Sequence, residues 1–195
     1  MTRDRVVDAA VELLNERDFA DLSMQEVADR ARVAVRTVYR NFPTREDLLA
    51  GVVAAVNDHL TRAVGPFPES PDDYVASSAR TAAAALDLEP YYRALFATSA
   101  GRTAHHAKGI RRRDSLVELY ADELAGAADD TAKRFASLLH LVTSSNAVFF
   151  LKDYDELVDA DIARTLQWAV LVLTNAIRDP RLRDALASDP GKEQS

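Results

Sequence analysis

The sequence predicts an all-α chain, a module of short helices followed by a larger helical body, and three observations carry that prediction. Sustained period-two alternation of apolar and polar residues is absent. Apolar residues instead recur at helical spacing, and the stripes begin at cap signals. Glycine and proline are few, 6 and 7 in 195 residues, and several gather in one short stretch. At 48% hydrophobic and 28% charged residues the chain can bury a real core, either as one modest unit or as a small domain joined to a larger one. It has no cysteine, which excludes a disulfide framework, a thiolate zinc site and a cysteine nucleophile.

The first helix is marked by Val6, Ala10, Leu13 and Leu14 at i, i+4, i+7 and i+8, with Thr2 as its cap and Asp4 in the first turn. Ser23-Met24-Gln25-Glu26 is a capping box that opens a second helix running to about Ala31. A third covers about Ala34 to Asn41, because Phe42 precedes Pro43 and is pushed out of helical geometry. Thr44-Arg45-Glu46-Asp47 caps a fourth, whose stripe is Leu49, Val52, Val53, Val56 and Leu60 and which stops at Gly65 and Pro66. Four of the seven residues from Gly65 to Pro71 are Gly or Pro, so the chain divides there into 1–64, a body of 65–187 and a tail, 188–195, that reads as disordered. Ser70-Pro71-Asp72-Asp73 then starts a helix to about Leu86. Shorter pieces begin at Pro90 and at about Ala104, the latter carrying Leu116, Val117, Tyr120 and Leu124 before Gly126. Two long helices come last, about Asp130–Lys152 and Asp159–Arg178.

Charge separates one window from the rest. The whole chain carries a net −7, and residues 1–62, with nine Arg and eleven Asp or Glu, are themselves acidic. Yet residues 30–45 hold Arg30, Arg32, Arg36, Arg40 and Arg45 and no acid. On a helical wheel Val35, Val38 and Phe42 share one face of the third helix, Arg36 and Arg40 point the opposite way, and Thr37 and Tyr39 flank them. A helix of this kind fits a DNA major groove about 12 Å wide, where arginine meets guanine edges or phosphates and hydroxyls meet phosphate oxygens.

The runs Ser23-Met24-Gln25-Glu26-Val27-Ala28-Asp29-Arg30-Ala31-Arg32-Val33 and Thr37-Val38-Tyr39-Arg40-Asn41-Phe42-Pro43-Thr44-Arg45-Glu46-Asp47-Leu48-Leu49, with Asp8-Ala9-Ala10, Leu13-Leu14 and Phe19 before them, closely resemble the TetR (tetracycline-repressor-like) family over about Arg5 to Val56. The resemblance implies an N-terminal helix-turn-helix DNA-binding domain and a helical ligand-binding and dimerisation domain. It implies a repressor that binds a palindromic operator as a homodimer and is released by a small-molecule effector. By position, Ser23, Tyr39 and Arg45 would hold phosphates, and Arg36 and Thr37, with Val35 and Arg40, would approach base edges. Three positions depart from the family pattern. Arg32 stands where the turn usually has Gly, so that a left-handed backbone would cost roughly 1 kcal/mol unless the turn differs or a phosphate contact by Arg32 compensates. Ala34 replaces a hydroxyl cap, and Asp18 a common Gly.

In the body, Trp168 to Leu173 is an apolar run that covers every direction around its helix, which calls for burial on two sides. One side can meet the protein's own core and the other a second copy, the alternative being a central helix of a monomer; the resemblance implies an intermolecular four-helix bundle, with Phe149, Phe150, Leu166, Val170 and Leu173 as the expected dimer contacts. Twofold symmetry would set two half-sites about 34 to 36 Å apart. Candidate effector-pocket residues are Tyr92, Phe96, Tyr120, His140, Thr143, Asn146 and Trp168. The small polar patch Thr143–Ala147 serves either close helix approach or ligand contact. Arg111-Arg112-Arg113 reads as a solvated run, with an anionic ligand as the other possibility. His105-His106 lacks a partner ligand at i+4, so no metal is expected, and no cofactor either. No phosphate loop, nucleophile elbow or paired-carboxylate spacing occurs, so the chain is not expected to be an enzyme. The alternative reading is a helical protein-interaction adaptor with a degenerate DNA-binding module. No apolar run approaches the roughly 20 residues of a membrane span, and the start is no secretory signal, which together place the chain in the cytoplasm away from any membrane.

Overall fold

The computed structural model describes residues 2–16 and 22–187. Asp18, Phe19 and the 188–195 tail, singled out above, lie outside the described residues. Among the described residues all regular structure is helical: α1 (Thr2–Glu16), α2 (Met24–Ala31), α3 (Val35–Asn41), α4 (Arg45–Val64), α5 (Pro71–Asp87), α6 (Glu89–Phe96), α7 (Ser99–Leu119), α8 (Asp129–Val142), α9 (Ser145–Asp153), α10 (Asp159–Arg178) and α11 (Pro180–Ala187). No single helix among them is long and apolar enough to cross a membrane.

Two compact units result. The first takes Met1–Gly65 together with Asp87–Lys108, a second stretch that contains α6. The second takes Pro66–Leu86 and the chain from Gly109 onward.

The first unit is built around α1, whose Val6, Val7, Ala10, Val11, Leu13 and Leu14 are buried with Leu22, Met24, Val27 and Ala28 of the α2 region. Val38 and Phe42 seal the same core from α3, and Leu48 and Val52 from α4. Gly51 is a point of close approach: a Cβ there would lie 2.5 Å from Phe42 Cε1, so the Phe42 ring needs a residue without a side chain opposite it. Arg3 stacks its guanidinium over the outer face of that ring, 4.8 Å from the centroid. Helix α6 is held on α1 by long-range bonds. Asn15 Nδ2 donates to the Pro90 carbonyl at 2.9 Å, and the Tyr91 hydroxyl donates to Asp8 Oδ1. Burial and the Asp8 carboxylate push the Tyr91 phenol up to about 12.

The second unit centres on Tyr74, Leu116, Tyr120, Leu124, Phe135, Leu139, Val170 and Ile177. Tyr120 is fully buried, with its hydroxyl 2.7 Å from Thr174 Oγ1. Arg178 ties the far end of α10 to Asp72 and Glu123.

Two helices differ from expectation for local reasons. The helix expected from Ala104 starts at Ser99, because the Thr98 hydroxyl accepts the Gly101 amide at 3.0 Å and so caps it. The single helix expected over Asp130–Lys152 is two, α8 and α9, bent by 48°. Thr143 and Ser144 donate their hydroxyls to the Leu139 and Leu141 carbonyls, and Ser144 Oγ then accepts the Ala147 amide. The small polar patch is therefore a helix end and a helix start.

Candidate DNA-binding site and effector-side residues

The α2–α3 turn is what places α3. Helix α2 opens with Ser23 accepting the Glu26 amide at 3.2 Å, while the Glu26 carboxylate accepts the Ser23 amide at 3.2 Å and its hydroxyl at 2.8 Å. It closes with Arg32 in the left-handed region, φ 54° and ψ 49°. The Val33 amide reaches back to the Ala28 carbonyl at 2.9 Å and the Arg32 amide to Asp29 at 3.1 Å, a Schellman closure. The turn thus keeps the geometry glycine would give it, and Arg32 bears the strain. A second arginine supports the turn from outside its own segment: Arg5 Nη2 on α1 donates to the Ala31 carbonyl at 2.6 Å. Helix α3 starts at Ala34 without a side-chain cap, as its alanine requires, and Asn41 Nδ2 returns to the Thr37 carbonyl at 2.7 Å.

This turn presents Arg32, Arg36 and Arg40 to solvent, and no carboxylate among the described residues pairs with any of them. Tyr39 stands beside them at 50% exposure. Thr37 is half-buried, and Val35 leans on the first unit's core, so its methyl groups are partly spent on packing. Arg45 is half-buried in the first turn of α4, behind the Thr44–Asp47 capping box. Two expected contributors are already engaged. Arg30 is held by Glu16 and Glu12 at 2.9 and 3.1 Å, which removes one charge from the basic window. The Ser23 hydroxyl and amide both belong to Glu26, so a phosphate there would have to displace a carboxylate.

The effector-side candidates are distributed over both units. Tyr92 and Phe96 belong to the first unit, where Phe96 meets His105 edge-on at 5.0 Å; His105 there is an aromatic neighbour, and His106 is exposed. Tyr120, His140, Thr143, Asn146 and Trp168 belong to the second. Of these, Asn146 is exposed, and Trp168, 65% exposed, edges an open recess of about 500 Å³ with Leu157, Asp161, Arg164 and Thr165. Trp168 therefore lines no interior cavity with Tyr120, because their helix faces differ. His140 and Thr143 do meet partners that the sequence did not pair with them, Tyr74 and Arg112. Burial, then the charges of Arg112 and Arg113, lower the His140 pKa.

The expected dimer residues also divide. Leu166 and Val170 point into the second unit's own core, and Phe149 is buried, so these three have almost no surface to offer a partner. Leu173 is half-buried against the same core, and Phe150 is exposed. The apolar side chains that do face outward are Leu138 and Leu141 on α8, Phe150 and Tyr154 stacked at 5.1 Å on and just after α9, and Trp168, Leu171 and Val172 on α10.

Residues 6–52 match the profile of the bacterial regulatory proteins of the tetR family, the segment that contains the whole turn and α3. Over that segment the chain is similar to the N-terminal part of tetR-family regulators. The match makes α2 and α3 a helix-turn-helix of the DNA-binding type found in transcriptional regulators. The chain is similar to an HTH-type transcriptional regulator of Saccharopolyspora erythraea, 29% identical over 156 residues, covering 80% of this chain and 64% of that one. It is also similar to the HTH-type transcriptional repressor KstR of Rhodococcus jostii, 40% identical over 52 residues, or 27% of this chain and 24% of that protein. The chain thus spans less than two thirds of the length of either relative. A tetR-family regulator from Streptomyces coelicolor shares the fold with a TM-score of 0.62 at 18% identity, over 98% of this chain and 90% of that one. A TetR-like regulator from a Rhodococcus species does so with 0.59 at 17%, over 87% and 93%.

Proposed function

We propose that this protein is a TetR-family, ligand-responsive transcriptional repressor that binds a palindromic operator as a homodimer and lets it go when a small molecule occupies the helical second unit. It has no catalytic role in this reading. The observation that supports it best is α3: Val38 and Phe42 anchor it inward, while Arg36, Arg40 and the half-exposed Tyr39 stand outside without a carboxylate partner. In an acidic chain of net −7, this acid-free arginine face is a local positive patch of the kind a polyanion complements.

Dimerisation in this reading uses the outward face of α8, α9 and α10, with Trp168, Leu171, Val172 and Phe150 in place of Leu166 and Val170. So many large apolar side chains facing water on neighbouring helices exceed what a monomer ordinarily leaves bare. The test is a gel shift with the intergenic DNA beside the gene, repeated across salt. Binding should weaken steeply with salt, by about 0.9 in log–log slope for each phosphate neutralised. Failure to bind any duplex at low salt would leave the adaptor reading instead.

A further inference from the structure

One group of polar side chains in the second unit serves neither the core nor the surface. Gly109, Arg112 and Arg113 sit at i, i+3 and i+4 of α7, on one face. His140 and Thr143 sit at i and i+3 at the end of α8. The His140 ring lies so close to Gly109 that a Cβ there would come 2.8 Å from Nε2. Arg112 Nη2 donates to the Tyr74 hydroxyl at 3.2 Å. Thr143 spends its own proton on the Leu139 carbonyl, so the 2.8 Å bond between Tyr74 and Thr143 runs from the phenol to the threonine oxygen. The chain of donors is therefore closed from arginine to backbone.

Two buried atoms are left over, Arg112 Nε and His140 Nδ1, which have no hydrogen-bond partner. No carboxylate among the described residues pairs with Arg112. A half-buried guanidinium and a half-buried imidazole, each with one nitrogen unpartnered within the protein, offer hydrogen-bonding capacity to an outside group.

We infer that this cluster binds the carboxylate of a small organic monoacid, with Arg112 as its counter-charge and His140 orienting it through Nδ1. The inference rests on the ligand-responsive reading above and gives its effector a chemical class. A planar guanidinium matches a carboxylate two atoms to two. Arg113 adds charge near His140, but of the two only Arg112 has a buried N–H left without a partner, which answers a single carboxylate group.

The experiment is calorimetric titration of the full chain with benzoate and hexanoate, each against its uncharged amide, and with inorganic phosphate. Either acid should bind at least ten-fold more tightly than its amide and than phosphate, and Arg112→Gln should remove that preference. Acids and amides binding alike, neither acid binding, phosphate binding more tightly, or an unaltered preference in Arg112→Gln would each overturn the assignment. If Arg112→Gln does not fold, the acid-against-amide ratio on the parent chain decides. Gel shifts with the same compounds separate the two claims. Acid binding through Arg112 that leaves operator affinity unchanged keeps the site and sinks the effector reading. Operator release by the amides alone sinks the site and keeps the effector reading.

Discussion

Replacing Arg32 tests two physical effects at once, and they have opposite signs. The residue holds φ 54° and ψ 49° at the close of α2, a conformation that costs an L-residue about 1 to 2 kcal/mol. Glycine adopts it without strain but loses about 0.5 to 1 kcal/mol more entropy on folding. Arg32→Gly should therefore stabilise the chain by about 0.5 to 1 kcal/mol, a rise of about 1 to 4 °C in Tm for a chain of this size. Arg32→Ala keeps the strained backbone and should give no such gain. Both variants remove the same exposed charge, so both should weaken operator binding and lower the salt slope by about 0.9 if Arg32 meets a phosphate. Thermal unfolding followed by circular dichroism, beside gel shifts at several salt concentrations, measures both quantities. Arg32→Gly no more stable than Arg32→Ala would refute the strain argument. An unchanged salt slope in both would refute the phosphate contact.

Four further outcomes follow from the same geometry. Arg36→Ala should relax sequence choice by about 1 to 3 kcal/mol at the base it reads, whereas Arg45→Ala should weaken all sites about equally, as binding to a set of mutated operators will show. Gly51→Ala should destabilise the chain by about 1 to 2 kcal/mol in denaturant titration, although alanine favours a helix, because the new methyl meets the buried Phe42 ring at 2.5 Å. Light scattering should report a dimer for the parent at micromolar concentration and a monomer for the double variant Trp168→Glu, Leu171→Glu; a dimer in both would remove the outward face of α10 from the interface. Burial pushes the Tyr120 phenol up to about 12 against an ordinary 10, so the unfolded chain loses this proton first and stability should fall from about pH 10 to pH 12. Tyr120→Phe should flatten that fall, and an equally steep fall would count against a buried phenol.

What was legible in the sequence was what local chemistry decides. The two capping boxes, Pro71 behind Ser70, and Phe42 before Pro43 each act within three or four residues, and the helices start or stop where they say. The α3 faces were readable because Val38 and Phe42 are its apolar anchors and the arginines fall opposite. The break at Ser144 was not, because a serine hydroxyl can bond a carbonyl within a continuous helix or cap a new one, and apolar spacing runs on across it either way. The orientation of α10 is obscured within Trp168–Leu173, whose six apolar residues cover every direction, but the longer stripe Ile162, Leu166, Val170 and Ile177 marks the inward face and leaves Trp168 outward. Partners far apart in the chain were invisible for a plainer reason. Arg30 finds Glu12 and Glu16, Arg5 finds the Ala31 carbonyl and Tyr91 finds Asp8 only after the helices have docked.

The docking of α6 on α1 bears on any attempt to transplant the N-terminal module. A chimaera cut at Gly65 would carry the whole segment that reads DNA yet discard Pro90, Tyr91 and Ala94, leaving Asn15 and Asp8 without their long-range partners. Ala94 is fully buried against that core, so the graft would also expose an apolar scar along α1. A hybrid regulator made from this scaffold should keep residues 87–96 from the same parent as its head, even though another helix separates the two in the gene.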